Sequence, residues 1–319
     1  MTADALILVV GLGLLWKGAD ATVNGALAVA RRLNVSEIAI GLTLVSAGTS
    51  LPELVVNVVA SLRGSADLAI ANVLGSNIAN ILLILGVAAF VCALPIRDTT
   101  LYSEIPFSMT AALLVGFLAN AHILSQESTL SLSRLDGAIL LGFFGLFGAY
   151  IYRAWGAEQT GVPEGAPPGS LLKPLARFAL GCAGLALGGH CVVSGAVDIG
   201  AALGVSETLM GLTVVAVGTS LPELVTSVIA ARRGQADLAV GNIVGSNIFN
   251  LLWVLGVSTL IRPLPFNVVS NVDLVAILAA TALLLFAVAS GKPSAIDRRE
   301  GGVFLLAYAC YMVFVIQRG

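Results

Sequence analysis

Residues 41–87 read GLTLVSAGTSLPELVVNVVASLRGSADLAIANVLGSNIANILLILGV, and residues 211–257 read GLTVVAVGTSLPELVTSVIAARRGQADLAVGNIVGSNIFNLLWVLGV. The two stretches align without a gap at a constant offset of 170, with about 30 of the 47 positions identical. The match thins upstream but stays in register. Val35-Ser36-Glu37 faces Val205-Ser206-Glu207, and Gly18, Gly25 and Ala26 face Gly188, Gly195 and Ala196. Self-similarity this long marks one structural unit used twice.

The unit belongs in a membrane. The chain has 319 residues, 58% of them hydrophobic and 11% charged, with a mean hydropathy of +0.98. A soluble domain carries about 25% charged residues, so a water-soluble globular protein is excluded and a polytopic membrane protein is expected. Sixteen basic and 18 acidic residues leave a net charge of −2 with no long run of one sign. A nucleic-acid partner is therefore not expected, nor is an obligate protein partner evident. Cys92, Cys182, Cys191 and Cys310 lie in apolar surroundings without CxxC or CxxH spacing and read as small apolar residues. No basic leader or small-residue cleavage site precedes the first apolar run, which is expected to remain a span.

Apolar stretches long enough to cross a ~30 Å hydrocarbon core fall at 5–30, 36–61, 67–92, 101–121, 135–154, 174–202, 206–231, 237–260, 272–290 and 301–316. The reading is an all-α membrane protein of ten transmembrane helices. Residues 1–156 form a first five-helix repeat, 157–173 a Pro- and Gly-bearing linker, and 174–319 a second repeat. With the N-terminus outside, the cytoplasmic loops hold Arg31, Arg32, Arg97, Arg153, Lys173, Arg177, Arg232, Arg233, Lys292, Arg298 and Arg299. The opposite side holds Arg63, Arg134, Arg262 and Arg318. This bias of 11 to 4 places both termini outside a cell membrane, of prokaryotic inner-membrane type. Five spans per copy is odd, so the second copy enters from the opposite side. Inverted repeats of this kind are the signature of secondary transporters, whose substrate site lies near the midplane where the copies meet.

Most acidic residues sit in loops or at span ends, where water reaches them. Glu53 and Glu223 lie well inside apolar segments, where a lone carboxylate costs at least ~2.5 kcal/mol. The basic residues that follow, Arg63 and Arg233, are ten positions on, at span ends. A bound cation is the natural partner. Both glutamates follow Gly-Thr-Ser-Leu-Pro, at 48–52 and 218–222. Proline inside a span removes a backbone hydrogen bond and clashes with the carbonyl four residues back, Gly48 or Gly218. A helix break is expected there, freeing carbonyls around Ser46 to Gly48 and Ala216 to Gly218 to line a cavity.

Helical spacing gathers oxygens around the carboxylates. Ser46, Ser50, Glu53 and Asn57 share a stripe beside Thr49, and Ser220, Glu223 and Ser227 share one beside Thr219. In the following spans Asn72, Ser76 and Asn80 recur at i, i+4, i+8, matched by Asn242, Ser246 and Asn250. Carboxylates, amides, hydroxyls and carbonyls suit a hard cation, Ca²⁺ or Na⁺, over a soft one. Asn57 and Ser227 sit a turn further on and read as peripheral, while Asn77 and Asn247 point away and are expected to stitch helices together. Lys17 and Asp20, at i, i+3, read as structural, either paired with each other or near a span end by snorkelling. His190 is single and without metal-ligand spacing. Asp67 and Asp237 look like N-caps opening the third and eighth spans.

The paired blocks GTSLPE (Gly48 to Glu53 and Gly218 to Glu223) and GSNIxN (Gly75 to Asn80 and Gly245 to Asn250) resemble the two α-repeats of the sodium/calcium exchanger family, within the cation/calcium antiporter superfamily. The resemblance implies that Glu53 and Glu223 are central acidic ligands. It implies that Thr49, Ser50, Thr219, Ser220, Ser76 and Ser246 add oxygens, with the Ser46 and Ala216 carbonyls and the Asn80 and Asn250 amides. Some family members carry a carboxylate at one of the two positions held here by Asn80 and Asn250, so this cage carries at most −2. The chain has no large regulatory loop, as the mid-chain linker is short.

The expected activity is antiport of Na⁺ for Ca²⁺ by alternating access, with the long Gly-rich first and sixth spans moving across the cage. No cofactor is expected, and Ca²⁺ and Na⁺ are the transported substrates. Three Na⁺ per Ca²⁺, which the resemblance implies, would make transport electrogenic. A Ca²⁺/H⁺ antiporter and a potassium-dependent exchanger are the nearest alternatives. A cation channel would conduct without a counter-ion, and an intramembrane enzyme would need a nucleophile or metal motif that this sequence does not display.

Overall fold

The computed structural model describes residues 2–121, 130–158, 170–203, 216–290 and 295–318. Eleven helices organise them: α1 (Thr2–Leu33), α2 (Glu37–Thr49), α3 (Leu51–Arg63), α4 (Ala66–Val91), α5 (Thr100–Asn120), α6 (Arg134–Glu158), α7 (Leu172–Ala202), α8 (Leu221–Arg232), α9 (Ala236–Ile261), α10 (Ser270–Ser290) and α11 (Arg298–Arg318). A short turn, Ala216–Gly218, precedes α8. Eight of these helices are long and apolar enough to cross a membrane, and the α2–α3 pair, bent by 47°, makes nine if it counts as one span. The expected span at 206–231 and the linker at 157–173 fall partly outside the described residues.

Local sequence explains the punctuation. Pro52 and Pro222 stand in the first turns of α3 and α8, where a missing N–H costs nothing. Ser50 and Ser220 just before them leave helical geometry, at φ −83°, ψ 11° and φ −88°, ψ 5°. Beyond those two helices Gly64 and Gly234 take φ of +78° and +74°, a left-handed stop that glycine adopts without a Cβ penalty. Wider π-type turns interrupt α4 at Ala79–Ile84 and α9 at Phe249–Val254, at the same offset of 170.

The core is centred on α4 and α9, the most buried of the long helices, while α11 is largely lipid-exposed. Around them the elements repeat in pairs. Strand β1 (Leu94–Pro95) pairs antiparallel with β4 (Ala295–Ile296), and β2 (Ser131–Leu132) with β3 (Leu264–Pro265), so each short ladder joins one half of the chain to the other. Gly137 of α6 packs on Gly256 of α9, and Gly301 of α11 packs on Gly86 of α4.

Helices α1 and α7 pack antiparallel at backbone contact. A Cβ at Gly11, Gly18 or Gly25 would lie 2.8, 2.7 or 2.6 Å from the backbone nitrogens of Val192, Leu185 or Phe178. Spacing of seven keeps these glycines on one face, and small residues are what let membrane helices approach this closely.

Two surface expectations need correction. Asp67 and Asp237 are not N-caps, because α4 and α9 start one residue earlier, with Ser65 and Gln235 at the N-cap positions and no side-chain cap bond from either. Asp237 instead pairs with Arg97 at 2.6 Å. Asp20 does not pair with Lys17. It accepts from Arg233 and Asn24, with Arg177 at 3.8 Å, and so ties α1 to the end of α8.

Candidate cation site

The helix breaks before α3 and α8 aim the first turns of these two helices at each other. Glu53 and Glu223, in those turns, are both fully buried. Ser50 Oγ donates to Glu223 Oε1 at 2.8 Å, and Ser220 Oγ donates to Glu53 Oε1 at 3.4 Å. Each repeat's serine thus reaches the other repeat's glutamate. Ser220 Oγ also lies 3.4 Å from Ser76 Oγ on α4, while Thr49 and Ser246 are further neighbours of Glu223, and Thr219 of Glu53.

The second oxygens are what make the cluster unusual. Glu53 Oε2, Glu223 Oε2, Asn80 Oδ1, Thr219 Oγ1, Ser246 Oγ and the Asn250 amide are buried without a hydrogen-bond partner. Buried polar groups are paired in native structures with few exceptions, and among the described residues seven of the thirteen unpaired buried side-chain atoms belong to this set. Two carboxylates with hydroxyl and amide oxygens are the donor set of a hard cation, and their charge of −2 balances one Ca²⁺. The residues present therefore fit such an ion.

Not every expected oxygen faces this cluster. The Ser46 hydroxyl turns back to the Leu42 and Thr43 carbonyls at 2.9 and 3.0 Å, because a serine inside a helix can bond the preceding turn. Its carbonyl accepts the Ser50 N–H at 3.0 Å and is not freed by the break, since α2 continues to Thr49. In the other repeat the Ser220 N–H donates to Val217, one residue past Ala216.

Around the cluster lie two polar relays. Asn72 Nδ2 donates to Asn57 Oδ1 at 2.6 Å, and Asn57 Nδ2 donates to the Ala69 carbonyl at 3.0 Å and lies 3.4 Å from Ser258 Oγ. Asn242 Nδ2 donates to Ser227 Oγ at 3.0 Å, and Asn242 Oδ1 is 3.0 Å from Thr49 Oγ1. Asn80 Nδ2 donates to Asn247 Oδ1 at 3.0 Å, joining α4 to α9, whereas Asn77 Nδ2 bonds the Val73 carbonyl of its own helix. Asn57→Ala strands partners at Asn72 and Ala69, each worth about 1–3 kcal/mol when left unpaired. Its melting temperature is expected to fall while the stabilisation by added Ca²⁺ persists, which a thermal-shift titration checks.

Ser258, which joins the first relay, stands where the first copy has Ala88. It was legible only as a mismatch between the repeats, one that accompanies the Asn57 and Ser227 mismatch. Most acidic residues were expected where water reaches them, but Glu104 and Asp273 are 4% and 5% exposed, because α6 and α11 cover them. His190 is exposed and lines a cavity of about 240 Å³ with Pro52, Val56, Gly218, Thr219 and Pro222.

The profile of the sodium/calcium exchanger protein family matches residues 4–153 and 173–317, nearly the whole chain. The chain belongs to the sodium/calcium exchanger family. It is 40% identical to the putative antiporter CaxA of Alkalimonas amylolytica over 98% of both chains. To the sodium/calcium exchanger MaX1 of Methanosarcina acetivorans it is 35% identical, again over 98% of both. A solved structure of the sodium-calcium exchanger NCX_Mj superposes with a TM-score of 0.82 at 30% identity, covering 97% of this chain and 98% of that one. This exchanger is accordingly a multi-pass membrane cation/calcium antiporter and a transporter by family.

Proposed function

We propose that this exchanger moves Ca²⁺ against Na⁺ by alternating access through a cage centred on Glu53 and Glu223. The observation that carries the reading is the reciprocal pair of serine bonds, Ser50 to Glu223 and Ser220 to Glu53, beside carboxylate oxygens that no protein donor meets. In this reading Ser50, Ser220, Ser76, Ser246, Thr49 and Thr219 contribute hydroxyl oxygens and Asn80 and Asn250 amide oxygens, while the Ser46 and Ala216 carbonyls join only if the turn before each break opens further. The full topology is ten spans, with broken helices at the two prolines. Five-helix units at 1–156 and 174–319 are inverted about the cage and joined by 157–173, with both termini outside.

Obligatory exchange follows from electrostatics. An empty cage would occlude two carboxylates without counter-charge, at several kcal/mol each, so the carrier crosses only when loaded. Ca²⁺ neutralises the −2 cage outright, while three Na⁺ leave it with one positive charge. Each such cycle moves one net charge, worth ~2.3 kcal/mol per 100 mV, and transport responds to membrane potential.

The test is ⁴⁵Ca²⁺ uptake into proteoliposomes loaded with Na⁺ or with choline, with and without an imposed pH gradient. Uptake is expected with internal Na⁺ alone, to be enhanced by an inside-positive potential, and to vanish with choline. Uptake indifferent to internal Na⁺ but driven by the pH gradient would overturn the sodium-coupled reading.

A further inference from the structure

Outside the cage, Glu104 lies near the start of α5 and is 4% exposed. The Tyr150 hydroxyl of α6 donates to its Oε1 at 2.6 Å, while its Oε2 is buried without a hydrogen-bond partner. Glu104 lines a cavity of about 40 Å³ together with Ser36, Thr99, Tyr150 and Ala154. Among the described residues no Lys or Arg forms an ion pair with Glu104.

The second half of the chain buries a carboxylate in a comparable place, with a counter-charge and with its tyrosine one helical turn before the position matching Tyr150. Asp273, near the start of α10, is 5% exposed. It accepts the Tyr311 hydroxyl of α11 at 3.0 Å and both terminal nitrogens of Arg318 at 3.0 and 3.2 Å. Helices α6 and α11 correspond closely. Each follows a two-residue strand, and their first turns close alike, Ser133 N–H donating to Asp136 at 2.7 Å and Asp297 N–H to Glu300 at 2.9 Å. Each presents an equivalent glycine, Gly137 or Gly301, to the core. Carried along at that offset of 164, Arg318 falls on Ala154. Where one half of the exchanger places a guanidinium, the other has a methyl group and a cavity.

We infer that this cavity is a second cation site, taking one small monovalent cation of the Na⁺ class on Glu104. An ionised carboxylate taken out of water needs a compensating positive charge. Forty cubic ångströms exceeds the ~30 Å³ share of one water and is too small for an organic cation. The polar side chains around the cavity, Glu104, Tyr150, Ser36 and Thr99, carry only oxygens, which suit an alkali cation. One positive charge cancels Glu104, whereas a divalent ion would leave an excess charge buried.

The full-length protein carrying Glu53→Gln and Glu223→Gln, purified in detergent, separates this site from the cage. Its melting temperature is expected to rise by about 2–4 °C on replacing choline chloride with NaCl at equal ionic strength. Adding Glu104→Gln removes that shift. Adding Ala154→Arg removes it too and raises the melting temperature in choline, because the guanidinium then fills the site from within. Equal melting temperatures in the two salts, a Na⁺ shift that survives Glu104→Gln, or stabilisation by acid but not by Na⁺ would overturn the assignment. Failure of the cage reading would show separately, as ⁴⁵Ca²⁺ exchange retained by the double glutamine variant.

Discussion

Glu223→Gln is expected to lower Na⁺-dependent Ca²⁺ exchange by between about 100-fold and several thousand-fold in the proteoliposome assay, while the protein stays folded. Removing one member of a buried, charge-balanced set costs about 3–5 kcal/mol, and each 1.4 kcal/mol is a factor of ten. The substitution is isosteric, and its amide oxygen can still accept the Ser50 hydroxyl that now lies 2.8 Å from Oε1, so the packing between the repeats survives. The charge alone is halved. Glu53→Gln should match it within a few-fold, since Glu53 is equally buried and meets Ser220 in the mirrored arrangement. The two losses should not add, because groups in one network are coupled. Exchange within a few-fold of wild type in either variant, at equal reconstitution, would remove these glutamates from the transport site.

These two residues were legible in the sequence because a carboxylate inside an apolar run has no cheap explanation, and because each stands after a proline in duplicate. The bend of 47° between α2 and α3 was legible for the same reason, as Pro52 cannot donate to the Gly48 carbonyl. Sequence reading succeeds at this break by local chemistry, though not at Asp67 and Asp237, which stand inside the first turns of their helices and not at the caps.

It fails where a partner arrives from far along the chain. Asp20 looked matched to Lys17 three residues away, but its partner is Arg233, 213 positions on. Glu104 reads as a hydrated residue at a span end until Tyr150, 46 positions later, covers it. Helical periodicity records which residues share a face, not what that face meets. Asn57 shows the difference. Its stripe was readable, but its bonds to Asn72 and Ala69 depend on how α3 crosses α4.

If α1 and α7 are the moving helices, the glycine seam between them is where an added side chain obstructs transport. Gly18→Leu is expected to reduce the exchange rate by more than about 10-fold while leaving Ca²⁺-induced thermal stabilisation intact. A Cβ at Gly18 would lie 2.7 Å from Leu185 N and 2.9 Å from the Gly181 carbonyl oxygen, both backbone atoms, so no change of rotamer relieves the contact and the helices must part. Overpacking of this kind costs about 1–3 kcal/mol in a static core. If α1 and α7 slide against each other as they cross the cage, the same collision recurs along the path and adds to the barrier, at 1.4 kcal/mol per tenfold in rate. The cage residues sit on α2, α3, α4, α8 and α9 and in the turn before α8, so ion binding is not touched directly. Gly13 of the same helix supplies the control, because a Cβ there meets nothing within 4 Å. Gly13→Leu should exchange like wild type, and the series Gly18→Ala, Gly18→Val, Gly18→Leu should slow exchange in order of size. Equal rates for Gly13→Leu and Gly18→Leu would mean that the seam is a fixed interface and that the transport movement lies elsewhere in the bundle.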